Sequence, residues 1–423
     1  MLNNIRYDLS DWLIHFFRDV SPYSDSGIDL PEHLGWSNIL EDNGKPIPAL
    51  FMLRCAIRHQ RIWATWAYRG GKRTIYGYRP AVCFTEMPIA AFFEAAEIRS
   101  IRGQHISPYA IIINKRQMAQ AGALPVIYGL SQQYAQNIQS IDPTTGTRII
   151  DPSCMPLIEQ YRYVSYQPAS KNPIDWTHER EWRWPYPGDM TNYNKQMIET
   201  GLLESYEDVP ALDLLNSQFN DIGIVVKTNK EKSLLLSDLL TLIDRGAIDI
   251  YKYKFILSLE NIKNISNLRS IEAQNDFIYR SIVNPLDSLN VDDDQANIYF
   301  SKFVNIAKEI DNFYHIESGE YGETWLWLYD AAHPFTRSMI KMKRVIVNQD
   351  GRYLVKVTEF SSGRGYRQLE EMIVQLAMKL REMVNIECGY FTVIGCKDPN
   401  GVQFYCDPPL ENQMFYNFNS NIE

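Results

Sequence analysis

The apolar segments of this chain are short, and strand-like runs are mixed with helix-like segments in no regular alternation. The strand candidates lie at 12–20, 81–87, 109–115, 179–184 and 221–228, and the helical ones at 49–68, 89–101 and 230–246. Regular alternation of strands and helices is typical of a doubly wound parallel sheet, whereas an irregular mixture favours an α+β fold. The pattern therefore predicts an α+β protein.

The length indicates more than one domain, because 423 residues is long for a single compact core. A polar stretch around 260–285 is the best candidate for a boundary, which gives predicted domains 1–265 and 266–423. The second region has a hairpin signal at Gln349-Asp350-Gly351 and a strongly amphipathic helix at 366–386. We predict a small C-terminal α/β domain there, of a target-recognition or regulatory type.

The charge of the chain is unevenly distributed. The net charge is −9, yet residues 1–200 carry 20 basic and 19 acidic residues and the remainder carries 22 and 32. An acidic surface repels nucleic acid and other polyanions. An anionic ligand is therefore expected in the first half.

Several classes of protein are disfavoured by what the sequence lacks. The apolar runs are too short to cross a bilayer, and the N-terminus has no apolar core of a secretory signal. The six cysteines show no CxxC spacing, so Cys388, Cys396 and Cys406 are expected to be buried thiols rather than metal ligands. We expect a cytoplasmic protein with no metal and no membrane partner.

One stretch, "THEREWRWPYPGDM" at 177–190, concentrates charge among aromatic residues. Strand alternation would place Glu179, Glu181 and Arg183 on one face. Carboxylates two residues apart on a strand lie about 7 Å from each other and could stabilise a developing oxocarbenium cation. The alternative is a solvated edge strand whose charges form cross-strand ion pairs.

Five segments occur in an order that resembles the bacterial abortive-infection AbiGi-like group, a distant branch of the ADP-ribosyltransferase fold similar in outline to DarT-like toxins. The resemblance covers about residues 8–260, and its segments are "LIHFFR", "NIL..NGKPI", "AVCFTEMPIAAF", "YAIIINKRQMAQAGALPVIYG" and "HEREWRW". It implies an ADP-ribosyltransferase-like split β-sandwich with helices that grips NAD between two small sheets. The chain departs from the group at Phe17, where a hydroxyl residue is common.

The resemblance also assigns roles to individual residues. The first-strand residues His15 and Arg18 would contact a ribose or phosphate of NAD, and "FTE" would shape the nicotinamide pocket through Phe84, Thr85 and Glu86. Glu181 would be the catalytic glutamate, with Glu179 as the alternative. Further candidates for binding NAD are the pyrophosphate-clamping Arg54 and Arg58 and the stacking Tyr76 and Tyr109.

The function expected from this assignment is that of a NAD-dependent mono-ADP-ribosyltransferase, a toxin or effector of bacterial antiphage defence. NAD would be a substrate, and the acceptor would be a nucleic acid or a protein. A neutralising antitoxin or a sensor protein is a further expected partner. Two alternatives stay open: a glycohydrolase that depletes NAD, and a catalytically inactive binding module.

Overall fold

The computed structural model describes residues 8–19, 47–69, 72–101, 107–130, 139–142, 146–171, 173–199, 209–262, 264–286 and 289–404. Cys406 and all of the "NIL..NGKPI" segment except Ile47 lie outside these ranges. The chain forms two compact units. The first contains the described residues up to Lys232 together with Tyr251–Val283, and the second contains Ser233–Ile250 and the described residues from Asn284 onward.

The secondary structure mixes short strands with helices throughout. Up to residue 283 the elements are β1 (Trp12–Phe16), α1 (Ala49–His59), β2 (Arg61–Trp63), β3 (Tyr68–Arg69), β4 (Lys72–Arg73), β5 (Ala81–Thr85), α2 (Ile89–Ile101), β6 (Ala110–Asn114), α3 (Lys115–Gln120), β7 (Leu124–Pro125), β8 (Ile127–Tyr128), β9 (Gln139–Ile141), β10 (Arg148–Ile150), β11 (Tyr163–Val164), β12 (Glu181–Pro185), α4 (Thr191–Glu199), β13 (Ala211–Asp213), β14 (Ile222–Val226), α5 (Asn229–Asp244), β15 (Tyr253–Ser258) and α6 (Ile271–Arg280). The predicted α+β class is confirmed.

The main sheet of the first unit has the strand order β15-β14-β6-β1-β5-β12-β7 among the described residues. Neighbouring strands are antiparallel except β14 and β15, which are parallel. β1 pairs with β6 along its whole length and meets β5 at the pair Ile14 and Thr85. The strands that carry the "LIHFFR", "CFTE" and "EREWRW" segments are therefore neighbours in the sheet.

One face of this sheet is covered by a helical core. Ile14 of β1 and Ile112 of β6 pack with Phe92 and Phe93 of α2, and Phe277 of α6 packs against the same cluster. Burying such side chains contributes about 1.5–3 kcal/mol each. Because side chains alternate along a strand, His15 belongs to the opposite face of β1. That face is not the one covered by the helical core, so a site can form on it.

The helix predicted at 49–68 is shorter in the structure. It ends at His59, because Gln60 adopts a left-handed conformation (φ 55°) and its backbone N–H caps the last turn. The following residues, Arg61–Trp63, pair with β13 instead. Arg61, which the predicted span 49–68 would place on this helix, therefore lies on a strand.

The strand predicted at 179–184 also begins later than expected. Glu179 lies in a 3-10 turn, Thr177–Glu179, and Arg180 has a left-handed backbone with φ 48°. β12 therefore starts at Glu181. The predicted strand alternation holds for Glu181 and Arg183 but does not extend back to Glu179.

The described part of the second unit contains a four-stranded antiparallel sheet and three helices besides the second part of α5. Its elements are α7 (Asp293–Phe313), β16 (Gly322–Leu328), α8 (Pro334–Lys341), β17 (Val345–Val347), β18 (Tyr353–Val355), α9 (Tyr366–Val384) and β19 (Cys388–Ile394), with the sheet order β17-β18-β16-β19. The predicted hairpin and the long amphipathic helix are both present. Leu326 and Leu328 face a core shared with Phe303 and Leu376, whereas Trp325 belongs to a separate cluster.

Candidate functional site

A cavity of about 550 Å³ lies in the first unit, on the face of β1, β5 and β12 away from the helical core. This volume falls within the range of about 300–1,000 Å³ that is usual for small-molecule and cofactor sites. Seven of the eleven candidate residues line it: His15, Arg18, Tyr76, Phe84, Thr85, Glu179 and Glu181. Three motifs far apart in sequence thus converge on one cavity.

His15 is fixed in the cavity wall by a hydrogen bond to the neighbouring strand. Its Nδ1 lies 2.9 Å from the carbonyl oxygen of Cys83. Because a carbonyl only accepts, Nδ1 carries the proton and Nε2 is left as an acceptor. Burial lowers the pKa of His15 to about 4, against the smaller opposing effect of the Cys83 hydrogen bond. The ring is therefore neutral near pH 7, and it packs edge-on against Phe17 and Phe84 at centroid distances of 4.9 and 5.7 Å.

Glu181 is held by the side chain two residues further along its own strand. Arg183 Nε donates to Glu181 Oε1 at 2.7 Å, and Nη2 donates to Oε2 at 3.3 Å. Arg183 is 4% exposed, and its Nη1 also donates to the carbonyls of Tyr161 and Tyr163. Such a fork-to-carboxylate pair fixes both the position and the orientation of Glu181.

Cys83 stands opposite Arg183 on the neighbouring strand and adds a protonated thiol to the same wall. Burial, together with the charge of Glu181, raises the pKa of Cys83 far above the range in which a thiol ionises. The thiol is thus a weak hydrogen-bond donor beside the Glu181 carboxylate and not a nucleophile. Nearby, the Tyr128 hydroxyl accepts from the backbone N–H of Glu181 at 3.2 Å.

Glu179 meets the cavity from the turn that precedes β12. Arg99 of α2 donates to Glu179 Oε1 at 2.8 Å, and both side chains are about four-fifths buried. The Thr85 hydroxyl donates to the Glu179 carbonyl at 2.5 Å. Glu179 and Glu181 thus line the cavity with different cationic partners. Glu179 lies on a turn, whereas Glu181 lies on a strand.

Glu86 is the third member of "FTE", and it supports this turn from outside the cavity. Its carboxylate accepts from Trp182 Nε1 at 2.7 Å, Lys115 Nζ at 3.0 Å and Arg180 Nη2 at 3.4 Å. Its backbone N–H donates to the Arg180 carbonyl at 3.1 Å. Glu86 is not among the described lining residues, so the structure places it behind the turn and outside the cavity wall.

Three further candidates lie elsewhere in the described part of the first unit and do not line the cavity. Arg54 is 1% exposed within the buried face of α1, and Arg58 lies one turn further along the same helix. The Tyr109 hydroxyl donates to Glu231 at 2.7 Å and the ring lies under Lys227. In this structure neither the two arginines nor Tyr109 are among the residues that line the cavity.

Among the lining residues that the sequence did not indicate are Arg148 and Trp176. Trp176 immediately precedes the charged stretch, so its proximity in sequence was an available signal. Arg148 follows a Thr- and Gly-containing segment and sits on the short strand β10, where no local pattern distinguishes it. Only the pairing of β10 with β9 and the position of Tyr76 bring it to the cavity.

The described residues contain no group of three or more His, Cys, Asp or Glu side chains placed to hold a metal ion. Cys388 is a buried thiol as expected, as is Cys55, whereas Cys396 is only partly buried, like Cys83 and Cys154. No helix within the ranges given above is long and apolar enough to cross a membrane.

Comparison with known proteins gives one match. Residues 288–418, less than half of the chain, match the family described as "Protein of unknown function (DUF4427)". This match falls in the second unit, whereas the cavity is built from residues 15–183 of the first. No curated protein sequence and no solved structure matches the chain.

Proposed function

We propose that the first unit is a NAD-dependent mono-ADP-ribosyltransferase with an ADP-ribosyltransferase-like split β-sandwich fold. One observation carries the proposal. Three of the five segments that carry the resemblance contribute neighbouring strands, and their His15, Phe84, Thr85 and Glu181 side chains line a single cavity. Fold resemblance alone does not determine function, and the chemistry of the cavity supplies the further support.

The lining residues suit a nucleotide that carries a positively charged ring and a ribose. Phe84, Trp63 and Trp176 offer aromatic surface, and Glu179 and Glu181 offer carboxylates. A cationic nicotinamide ring is favoured against aromatic faces and near anionic groups. The cavity volume is sufficient for a ligand of the size of a nucleotide.

In the proposed reaction the bond between nicotinamide and ribose breaks, its electron pair leaves with the nicotinamide nitrogen, and an acceptor nucleophile then bonds to the ribose carbon and loses its proton. Glu181 is the residue that would stabilise the positive charge on the ribose. A preorganised charge of this kind contributes on the order of 3–4 kcal/mol to transition-state stabilisation. Arg183 keeps the carboxylate in one orientation, which avoids reorganisation during the reaction.

His15 would act as a neutral hydrogen-bond acceptor and not as an acid. Its Nδ1 proton is committed to the Cys83 carbonyl, which leaves Nε2 able to accept from a ribose hydroxyl. Glu179 stays the alternative catalytic residue. Its position on a 3-10 turn and its partner on α2 make it the less rigidly placed of the two carboxylates.

The biological role that fits this reaction is a toxin or effector of bacterial antiphage defence, with the second unit selecting the acceptor or a regulatory partner. The acidic excess beyond residue 200 favours a protein acceptor or partner over a nucleic acid at the second unit. An antitoxin or sensor protein would restrain the activity.

The test is nicotinamide release from NAD by the purified full-length protein. Release, together with transfer of label from adenine-labelled NAD to a macromolecule, is the expected result. Release with all label recovered as free ADP-ribose would instead identify a glycohydrolase. If NAD is neither cleaved nor bound, the proposal is wrong and the cavity belongs to a binding module for another ligand.

A further inference from the structure

The end of the cavity beside Tyr76 has a built guanidinium site. Arg148 lies over the Tyr76 ring with its central carbon 4.2 Å from the ring centroid, and its Nη2 donates to the Tyr76 hydroxyl. Its Nη1 donates to the carbonyl of Arg73 at 2.9 Å. Stacking and two hydrogen bonds therefore fix the plane of the Arg148 guanidinium while its side chain faces the cavity.

The support beneath Arg148 is rigid. Tyr76 is 1% exposed and packs edge-on against Tyr163 at a centroid distance of 5.1 Å, within a small core that includes Ile150 and Met155. The backbone of Arg148 is fixed as well, because its carbonyl accepts from Gly77 N–H at 2.8 Å. A preorganised arginine loses little freedom on binding an oxyanion.

The charge of the cavity favours an anion at this end. Among the described residues, the lining contains Arg18, Arg148 and Arg183 as cations and Glu179 and Glu181 as anions, a net charge of +1. His15 adds no charge near pH 7, because its ring is neutral there. Both glutamates are already bound by arginines, Glu181 by Arg183 and Glu179 by Arg99. The described lining thus contains two cations, Arg18 and Arg148, besides the Arg183 that holds Glu181.

The two ends of the cavity are joined by a short chain of contacts. Arg183, which binds Glu181, donates to the carbonyl of Tyr163, and the ring of Tyr163 packs on Tyr76 under Arg148. In a dinucleotide a ribose separates the reacting bond from the phosphates. An oxyanion site next to, but not at, the carboxylate matches that order of groups.

We propose that Arg148 is a phosphate-binding residue of this cavity. This inference rests on the proposed function for the identity of the nucleotide, but its phosphate-binding component is independent of any reaction. The planar fork of Arg148 binds two phosphate oxygens at once, which a lysine ammonium cannot do.

The experiment measures binding of ADP-ribose, adenosine and inorganic pyrophosphate to the full-length protein by calorimetry. ADP-ribose has no nicotinamide to lose, so its binding does not depend on catalysis. In Arg148→Gln the Kd for ADP-ribose and for pyrophosphate is expected to rise about tenfold or more, with adenosine affected less than about twofold. The Kd values of Arg148→Lys should fall between those of the wild type and of Arg148→Gln, because lysine retains the charge but lacks the planar fork.

Arg352→Gln is the matched control. Arg352 is also stacked on an aromatic ring, Trp327, at 5.3 Å and also donates to a neighbouring side chain, that of Asp350, but it belongs to the second unit and is not among the described lining residues. It should bind ADP-ribose as the wild type does. Thermal unfolding of each variant separates loss of the site from loss of the fold.

The outcomes are distinguishable from those of the proposed function. The assignment of Arg148 is wrong if the wild type binds no ADP-ribose or if Arg148→Gln binds it with unchanged Kd. It is also wrong if the substitution weakens the binding of ADP-ribose and of adenosine equally. Phosphate-dependent binding through Arg148 without nicotinamide release would leave this inference standing and remove the transferase. If the wild type releases nicotinamide and Arg148→Gln binds ADP-ribose with unchanged Kd, the transferase stands and this inference is wrong.

Discussion

At the scale of single residues, the cavity shows how two glutamates in one short stretch acquire different environments. Glu181 is on a strand and forms a two-pronged pair with a buried arginine, whereas Glu179 is on a turn and is bound through one oxygen by Arg99. Rigid placement of a charge is what electrostatic catalysis requires. The geometry therefore ranks the two residues, which strand alternation alone could not do.

Glu181→Gln is expected to lower the rate of nicotinamide release about 100-fold or more, because the amide keeps the shape of the side chain but loses the stabilising charge. Glu179→Gln should have a smaller effect on release, about tenfold or less, by the same reasoning. The measurement is single-turnover nicotinamide release. A larger loss in Glu179→Gln than in Glu181→Gln would reverse the assignment.

His15 should make the stability of the protein depend on pH in a defined window. Its folded-state pKa of about 4 lies below its unfolded value near 6.5, so between these values the unfolded chain binds the proton and the folded chain does not. This contribution is fully present above pH 6.5 and is lost on acidification at about 1.4 kcal/mol per pH unit, on the order of 3 kcal/mol in total.

The measurement is urea unfolding of the wild type and His15→Gln at pH 7.5, 5.5 and 4.0. The free energy of unfolding of the variant should fall less steeply over this range, so the two proteins approach each other in acid. Parallel pH profiles would show that His15 titrates normally and that its ring is not held neutral.

At the scale of elements, the sequence predicted the α+β class, the strand content of β1, β5 and β6 and the span of α2 because hydrophobic periodicity reports burial directly. The predicted boundaries were wrong where a single residue departs from helix or strand conformation. The left-handed conformations of Gln60 and Arg180 are not visible in a hydrophobic pattern, yet they end a predicted helix and delay a predicted strand. The convergence of His15 and Glu181 was expected only from a resemblance, since their proximity depends on sheet order.

The turn that separates the two glutamates depends on Glu86, and we expect Glu86→Ala to disturb it. Lys115, Arg180 and Trp182 would lose their shared acceptor, and Arg180 would be less firmly held at its positive φ. Because Glu86 does not line the cavity, kcat for nicotinamide release should fall by about tenfold or more with little change in KM for NAD.

Glu94→Ala is the control for this experiment, since Glu94 makes a more exposed ion pair with Arg269. Its kinetics should match those of the wild type. If Glu86→Ala raised KM and left kcat unchanged, Glu86 would be acting on the ligand itself, as the resemblance implies.

At the scale of the whole molecule, the two units are not consecutive segments of the chain. Ser233–Ile250 belongs to the second unit although the following segment, Tyr251–Val283, belongs to the first. A boundary at 265 was predicted because polar composition marks exposed linkers. The inserted segment carries "SLLLSDLLTLIDRG", whose periodicity indicates a helix but not which core that helix joins.

Within the second unit, Asp244 ties this segment to α8 and β18. Arg337 donates to its two carboxylate oxygens at 2.5 and 3.0 Å and Tyr353 donates at 2.8 Å, while both charged side chains are at least nine-tenths buried. Removing one member of a buried pair leaves an uncompensated charge, which costs about 3–5 kcal/mol. Asp244→Asn should therefore destabilise the second unit by an amount in that range.

The comparison for Asp244→Asn is Asp221→Asn, which removes a half-exposed ion pair with Lys254 in the first unit and should change the free energy of unfolding by about 0.5 kcal/mol or less.

Limited proteolysis gives the readout that distinguishes the units, because Asp244→Asn should increase cleavage after residue 284 more than cleavage before residue 232. Preferential cleavage before residue 232 would mean that 233–250 stabilises the first unit, as the predicted boundary implies. Preferential cleavage after 284 would establish that a segment preceding the predicted boundary is required for the fold of the domain that follows it.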